Sequence, residues 1–216
     1  MSARTSATTR ALLRCGVAAG PLFLGVATIE GATRPEYDPL RHPISALALG
    51  PRGWRQVANF AASGALLLAG AAGLARSGTL PRTVPVLLAT VGAGLAGAGA
   101  FPTDPISGYP PGTPPAADPQ TTAGKLHNLA STPVFLSLPA AAATTAVSAL
   151  RHGERGWSVV CGGAALAHLA AFATAGAGFA QQPGLVRWGG LFQRLSLAAG
   201  FGWIAALCAR TLRGAP

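Results

Sequence analysis

Long apolar runs separated by short polar breaks dominate the chain. Crossing about 30 Å of hydrocarbon takes about 20 helical residues at about 1.5 Å of rise each. Six runs meet that length: Ala11–Ile29, Val57–Ala75, Thr83–Phe101, Leu126–Leu150, Trp157–Ala180 and Trp188–Ala209. They predict an all-α fold, a polytopic membrane bundle of six transmembrane helices spanning residues 11–209, with tails at 1–10 and 210–216. The first run contains Arg14, whose stem must snorkel to the headgroups. It lacks a clear A-x-A site and carries Pro21, so a retained span is expected rather than a cleaved signal. Pro85, Pro133 and Pro139 fall within runs and predict kinks, because proline removes a helical donor.

The longest polar break rich in ionisable groups is Arg34–Trp54, RPEYDPLRHPISALALGPRGW. Pro35, Pro39 and Pro43 stop a helix from running through it. Ser45 then reads as the N-cap of a short helical turn that Gly50-Pro51 ends. A structured loop is expected, held between two membrane helices. The third break, Pro102–Gly124, is proline-rich and carries no Lys or Arg, which predicts an irregular surface loop. Thr121 or Thr122 is placed to cap the fourth span.

Composition supports lipid as the solvent. Half of the 216 residues are hydrophobic and 10% are charged, against about a quarter in a soluble domain. The 29 glycines suit helices that approach closely in a bilayer. The net charge of +10 is scattered as singles and pairs, with no basic stripe and no interleaved aromatics, so no nucleic-acid partner is expected. It reads instead as a topology signal. With the N-terminus inside, nine Lys or Arg fall on the cytoplasmic side and six outside, with Arg194 left within the sixth span. The positive-inside rule therefore predicts a plasma-membrane protein with both termini cytoplasmic. Cys15, Cys161 and Cys208 lie near the inner ends of their spans, so no disulfide is expected. No CxxC or HExxH spacing occurs, so neither a metal nor a cofactor is implied.

Under that topology the polar groups gather in the outer half. Glu30 ends the first span. Asp38, Arg41, His42 and Ser45 lie in loop one, and Asn59 lies early in the second span. Asp104 follows the third span, His127 and Asn128 begin the fourth, and Gln193 and Arg194 begin the sixth. A charge within hydrocarbon costs at least about 2.5 kcal/mol, so Arg194 should face protein or a wet cavity. A polar pocket on the extracytoplasmic side, roofed by loop one, accounts for all of them.

Each of these residues also has a structural reading. Arg194 can snorkel outward; Asp104 can form an Asx turn or pair with Arg41 or Arg194. Ser45 can cap a turn, or act as a nucleophile if His42 or His127 is within reach. His168, alone in the middle of the fifth span, reads as a buried histidine bonded to a neighbouring helix.

The stretches YDPLRHPISALALGPRGWRQVANF, GAGAFPTDP, TTAGKLHNLAS and GLFQRL, in that order, resemble the membrane-protein family called domain of unknown function 998. The resemblance covers nearly the whole chain. It implies a six-span helical protein of the plasma membrane and assigns no activity. Its matched positions include Asp38, Pro39, His42, Ser45, Asn59, Asp104, His127, Gln193 and Arg194.

Two classes of function remain open. One is a membrane-embedded enzyme on a lipid or isoprenoid-like substrate, with membrane lipid as its surroundings. Its catalytic candidates are Asp104, His127, His42, Ser45 and Glu30, and its binding candidates are Asp38, Arg41, Asn59, Asn128, Gln193 and Arg194. A hydrolase would align serine, histidine and carboxylate, whereas a cyclase or isomerase would keep a carboxyl protonated in an apolar pocket. In either case the Asp104 carboxylate is expected to matter more than the Ser45 hydroxyl. The other class is a non-catalytic module that binds or transports a lipid or small solute, or a membrane scaffold.

Overall fold

The computed structural model describes residues 6–116 and 120–214, and all of its regular structure is helical. Six long helices form: α1 (Ala7–Thr33), α2 (Gly53–Ser77), α3 (Thr83–Ala100), α4 (Thr122–Arg151), α5 (Arg155–Phe179) and α6 (Gly189–Leu212). Each is long and apolar enough to cross a membrane, and the chain is a multi-pass membrane protein. Several helices overrun the apolar runs that announce them. Apolar length measures only hydrocarbon depth, whereas a capped helix continues into the headgroup zone. At the start of α1, Ser6 accepts from Thr9 N–H, and at the start of α4, Thr121 accepts from Gly124 N–H.

The helices pack in chain order, each against the next, and α6 closes the ring on α1. Close approach depends on absent side chains. A Cβ on Gly70 would lie 2.6 Å from Gly16 Cα, and one on Gly64 would lie 2.7 Å from the Gly92 carbonyl. Facing glycines thus let α1, α2 and α3 approach to backbone contact, which favours van der Waals attraction where no hydrophobic effect operates. Inside the ring, Phe23 meets Phe60 and Phe201 at ring separations of 5.5 and 5.4 Å.

The prolines behave according to position. Pro85 lies in the first turn of α3, where its N–H would have had no helical partner, so the mid-span kink expected there is corrected. Pro139 is inside α4 and deprives the Phe135 carbonyl of its donor. His168 Nε2 lies 3.0 Å from that carbonyl, and its Nδ1 lies 3.0 Å from the Ser196 carbonyl. This fully buried ring therefore bridges α5 to both α4 and α6.

Candidate functional site

Loop one is built as a cap on α6. The first turn of any helix has unsatisfied N–H groups, and α6 has no side-chain cap. Instead Gly190 and Leu191 donate to the carbonyls of Arg41 and Leu40 at 3.2 and 2.9 Å. Gly190 is needed for this contact, since a Cβ there would lie 2.5 Å from the His42 carbonyl. One turn further on, Arg194 Nη1 donates to Pro39 and His42 carbonyls at 2.6 and 3.1 Å. Its Nη2 donates to the Tyr37 hydroxyl at 2.6 Å. Gln193 Oε1 accepts from Ile44 N–H at 2.8 Å.

Within the loop, Asp38 N–H donates to His42 Nδ1 at 2.9 Å, and Leu40 N–H donates to Asp38 Oδ1 at 2.8 Å. Burial is the main reason His42 is held below its ordinary pKa, and the neighbouring Arg41 cation adds to the effect. Burial likewise raises the Tyr37 phenol, against the pull of Arg194. Loop three closes over this knot. Ser107 and Gly108, both at positive φ, turn the chain so that Tyr109 packs on Tyr37 and His42 at ring separations of 5.3 and 5.2 Å. Arg41 lies beside that turn: a Cβ on Gly108 would sit 3.7 Å from its Nη2.

Ser45 is not the N-cap expected of it. The turn is a 3-10 helix over Ile44–Ala48, preceded by Pro43 with no side-chain cap. Gln193 takes the Ile44 N–H and starts the turn one residue early, which leaves the Ser45 side chain on the wall of a cavity.

Three other candidates serve local structure. Asp104 makes no ion pair with Arg41 or Arg194. Its Oδ1 accepts from Thr121 Oγ1 at 2.6 Å and its Oδ2 from Thr121 N–H at 3.0 Å. The carboxylate thus rests on the N-terminus of α4, where the helix dipole favours an anion. Glu30 is gripped by three guanidiniums, those of Arg34, Arg52 and Arg55, at 3.1, 3.1 and 2.9 Å. Asn59 donates to the Phe23 carbonyl at 3.0 Å and accepts from Ser63 Oγ, tying α2 to α1.

A cavity of about 240 Å³ lies beneath loop one. Of the eleven candidates, it gathers Ser45, His127, Asn128 and Gln193; the other seven lie outside its lining. Its body is apolar, with Phe23, Phe60, Phe135, Phe172 and Phe179 among its walls. His127 is the buried polar group that fixes its chemistry. Nδ1 lies 3.0 and 2.8 Å from the carbonyls of Ala98 and Phe101, which can only accept. Nδ1 therefore carries a proton, and Nε2 has no partner among the described residues. Gln193, its oxygen engaged by Ile44, has its amide nitrogen left to donate. Asn128 and Thr132 are exposed on α4 while lining the cavity, and Phe172 and Phe179 of α5 are half-buried. The mouth accordingly lies between α4 and α5.

Sequence reasoning missed the aromatic walls, although five of the chain's eight phenylalanines line this one cavity. Their positions along four of the spans were visible; their convergence needed the rotation of those helices, α1, α2, α4 and α5. It also missed Tyr37 and Tyr109, which look like ordinary loop residues until both loops are folded together. No curated protein and no solved structure matches the chain. Residues 17–210 match the family described as Protein of unknown function (DUF998), which is nearly the whole chain, and the protein belongs to that family.

Proposed function

We propose that this protein binds one end of a lipid- or isoprenoid-like molecule in the cavity under loop one, admitting it sideways between α4 and α5. The protein sits in the plasma membrane with both termini cytoplasmic, so the cavity occupies the extracytoplasmic half. The observation that carries this reading is the buried His127 ring, its Nε2 without a partner among the described residues, set in a wall of phenylalanines. Such a site suits an apolar chain ending in a hydroxyl, which can donate or accept at Nε2, and the Gln193 amide suits that group's oxygen. The cavity of about 240 Å³ leaves room for the end of an apolar chain.

Binding is favoured over catalysis by where the carboxylates are. A hydrolase of the serine–histidine–carboxylate type needs a carboxylate behind its histidine, but two backbone carbonyls occupy that side of His127. An acid-catalysed cyclase needs a protonated carboxyl facing the substrate, and no carboxylate lines the cavity among the described residues. The test is photolabelling of the purified protein with a long-chain alcohol carrying a photoreactive chain end. Labels should concentrate on Phe135, Phe172 and Phe179, be competed by unlabelled alcohol more than by the matching alkane, and fall with Ser131→Trp at the mouth. Labels spread evenly over the lipid-facing helix surfaces would reject the reading.

A further inference from the structure

The Glu30 cluster carries more positive charge than it neutralises. Arg34, Arg52 and Arg55 share one carboxylate, and among the described residues the group has a surplus of two positive charges. Arg34 is sealed in, and its remaining bonds run to the carbonyls of Leu49 and Leu47. Arg52 also clips the Thr33 carbonyl and hydroxyl. Arg55 differs. It spends only Nη1 on Glu30, its side chain is 46% exposed, and its other donors have no hydrogen-bond partner among the described residues. Its guanidinium also lies 5.6 Å from the ring centre of Trp54.

The setting is apolar. Ile29 and Trp54 flank the cluster and are 64% and 66% exposed, so the cations stand at the edge of the bundle's lipid-facing surface. A tryptophan there fits the headgroup level of a bilayer. Surplus guanidinium beside low-dielectric surface calls for a counter-anion, and a forked donor matches phosphate oxygens.

We propose that Arg55, with Arg52 and Trp54 beside it, forms a binding site for the phosphate of an anionic phospholipid such as phosphatidylglycerol. The chemistry recognised is a phosphate anion, and the exposed apolar flank makes a lipid its source rather than free phosphate. The site lies at the junction of α1 and α2, apart from the cavity, and does not depend on the function proposed for it.

Native mass spectrometry of the full chain in detergent tests this, with phosphatidylglycerol and phosphatidylcholine offered at equal concentration. Phosphatidylglycerol should be retained preferentially. Arg55→Gln should lower that retention about tenfold, the worth of one charge-assisted hydrogen bond, while Arg187→Gln beside Trp188 leaves it unchanged. Glu30 keeps Arg34 and Arg52 in the Arg55→Gln variant, so the fold should persist. Should that variant fail to fold, Trp54→Ser touches none of the ion pairs and should weaken retention too. Equal retention of the two lipids, or wild-type retention by the folded variants, overturns the proposal. Thermal stabilisation by inorganic phosphate alone, matching that by phosphatidylglycerol, overturns the lipid as the source.

Discussion

Arg194 Nη1 lies 2.6 Å from the carbonyl oxygen of Pro39, a contact between residues 155 positions apart. It is the sequence's most awkward charge meeting the sequence's most irregular loop. Each resolves the other's difficulty. The arginine escapes lipid by donating to loop one, and the loop's carbonyls find donors in a segment that proline keeps from being helical. The site above follows from this docking, because Pro43, Ile44 and Ser45 become a wall of the cavity only when the loop lies on α6.

Arg194→Gln should therefore destabilise the protein by about 1.5–3 kcal/mol, the range for hydrogen bonds to a charged group. Arg194→Lys should recover only part, since an ammonium cannot fork between the Pro39 carbonyl and the Tyr37 hydroxyl. Thermal unfolding in detergent reads both, and a wild-type midpoint for Arg194→Gln would show that loop one holds without it.

Acidification should loosen loop one through His42. Its pKa is depressed below the ordinary 6.5, chiefly by burial. The unfolded chain thus takes up the proton first as pH falls. Stability is flat above about pH 6.5, declines below it, and levels off once pH passes the folded pKa. The deprotonated Nδ1 is also the acceptor for Asp38 N–H, so protonation removes that bond. His42→Asn keeps an acceptor without the titration, and its unfolding midpoint should fall less than that of wild type between about pH 7 and 5. Parallel curves would remove His42 from the acid response.

Asp104 should act on stability and leave ligand binding alone. Asp104→Ala and Thr121→Val each break the tie between loop three and the start of α4, and each should cost about 1 kcal/mol, the typical worth of a helix cap. Photolabelling of the cavity should stay at the wild-type level in both. A folded Asp104→Asn protein that no longer labels would return the carboxylate to the site, where the sequence had put it.

Orientation is open to cysteine labelling in a background without native cysteines. Ala116→Cys lies in an exposed part of loop three, and Gly153→Cys lies in the exposed turn between α4 and α5. An impermeant thiol reagent added outside intact cells should reach the first and spare the second until the membrane is opened. Reversed labelling would place the cavity on the cytoplasmic side.

The sequence by itself determined the number of helices and the class of fold, because apolar length against bilayer thickness is a local quantity. It also marked one end of the bundle as the richer in carboxylates, since five of the six acids fall at the end of the first span or in the first and third breaks, and Glu154 alone at the other end. What it could not determine was which of those groups face one another. Asp104 and His127 are equally polar and equally deep by position, yet one is spent on Thr121 and the other faces a cavity. Glu30 reads as a lone carboxylate until α2 brings Arg52 and Arg55 to it. Tertiary structure decided these partnerships, because they depend on helix rotation and on where loop one docks. Both are set by glycine-sized gaps such as Gly190 and by hydrogen bonds between distant residues, which leave no periodic trace along the chain.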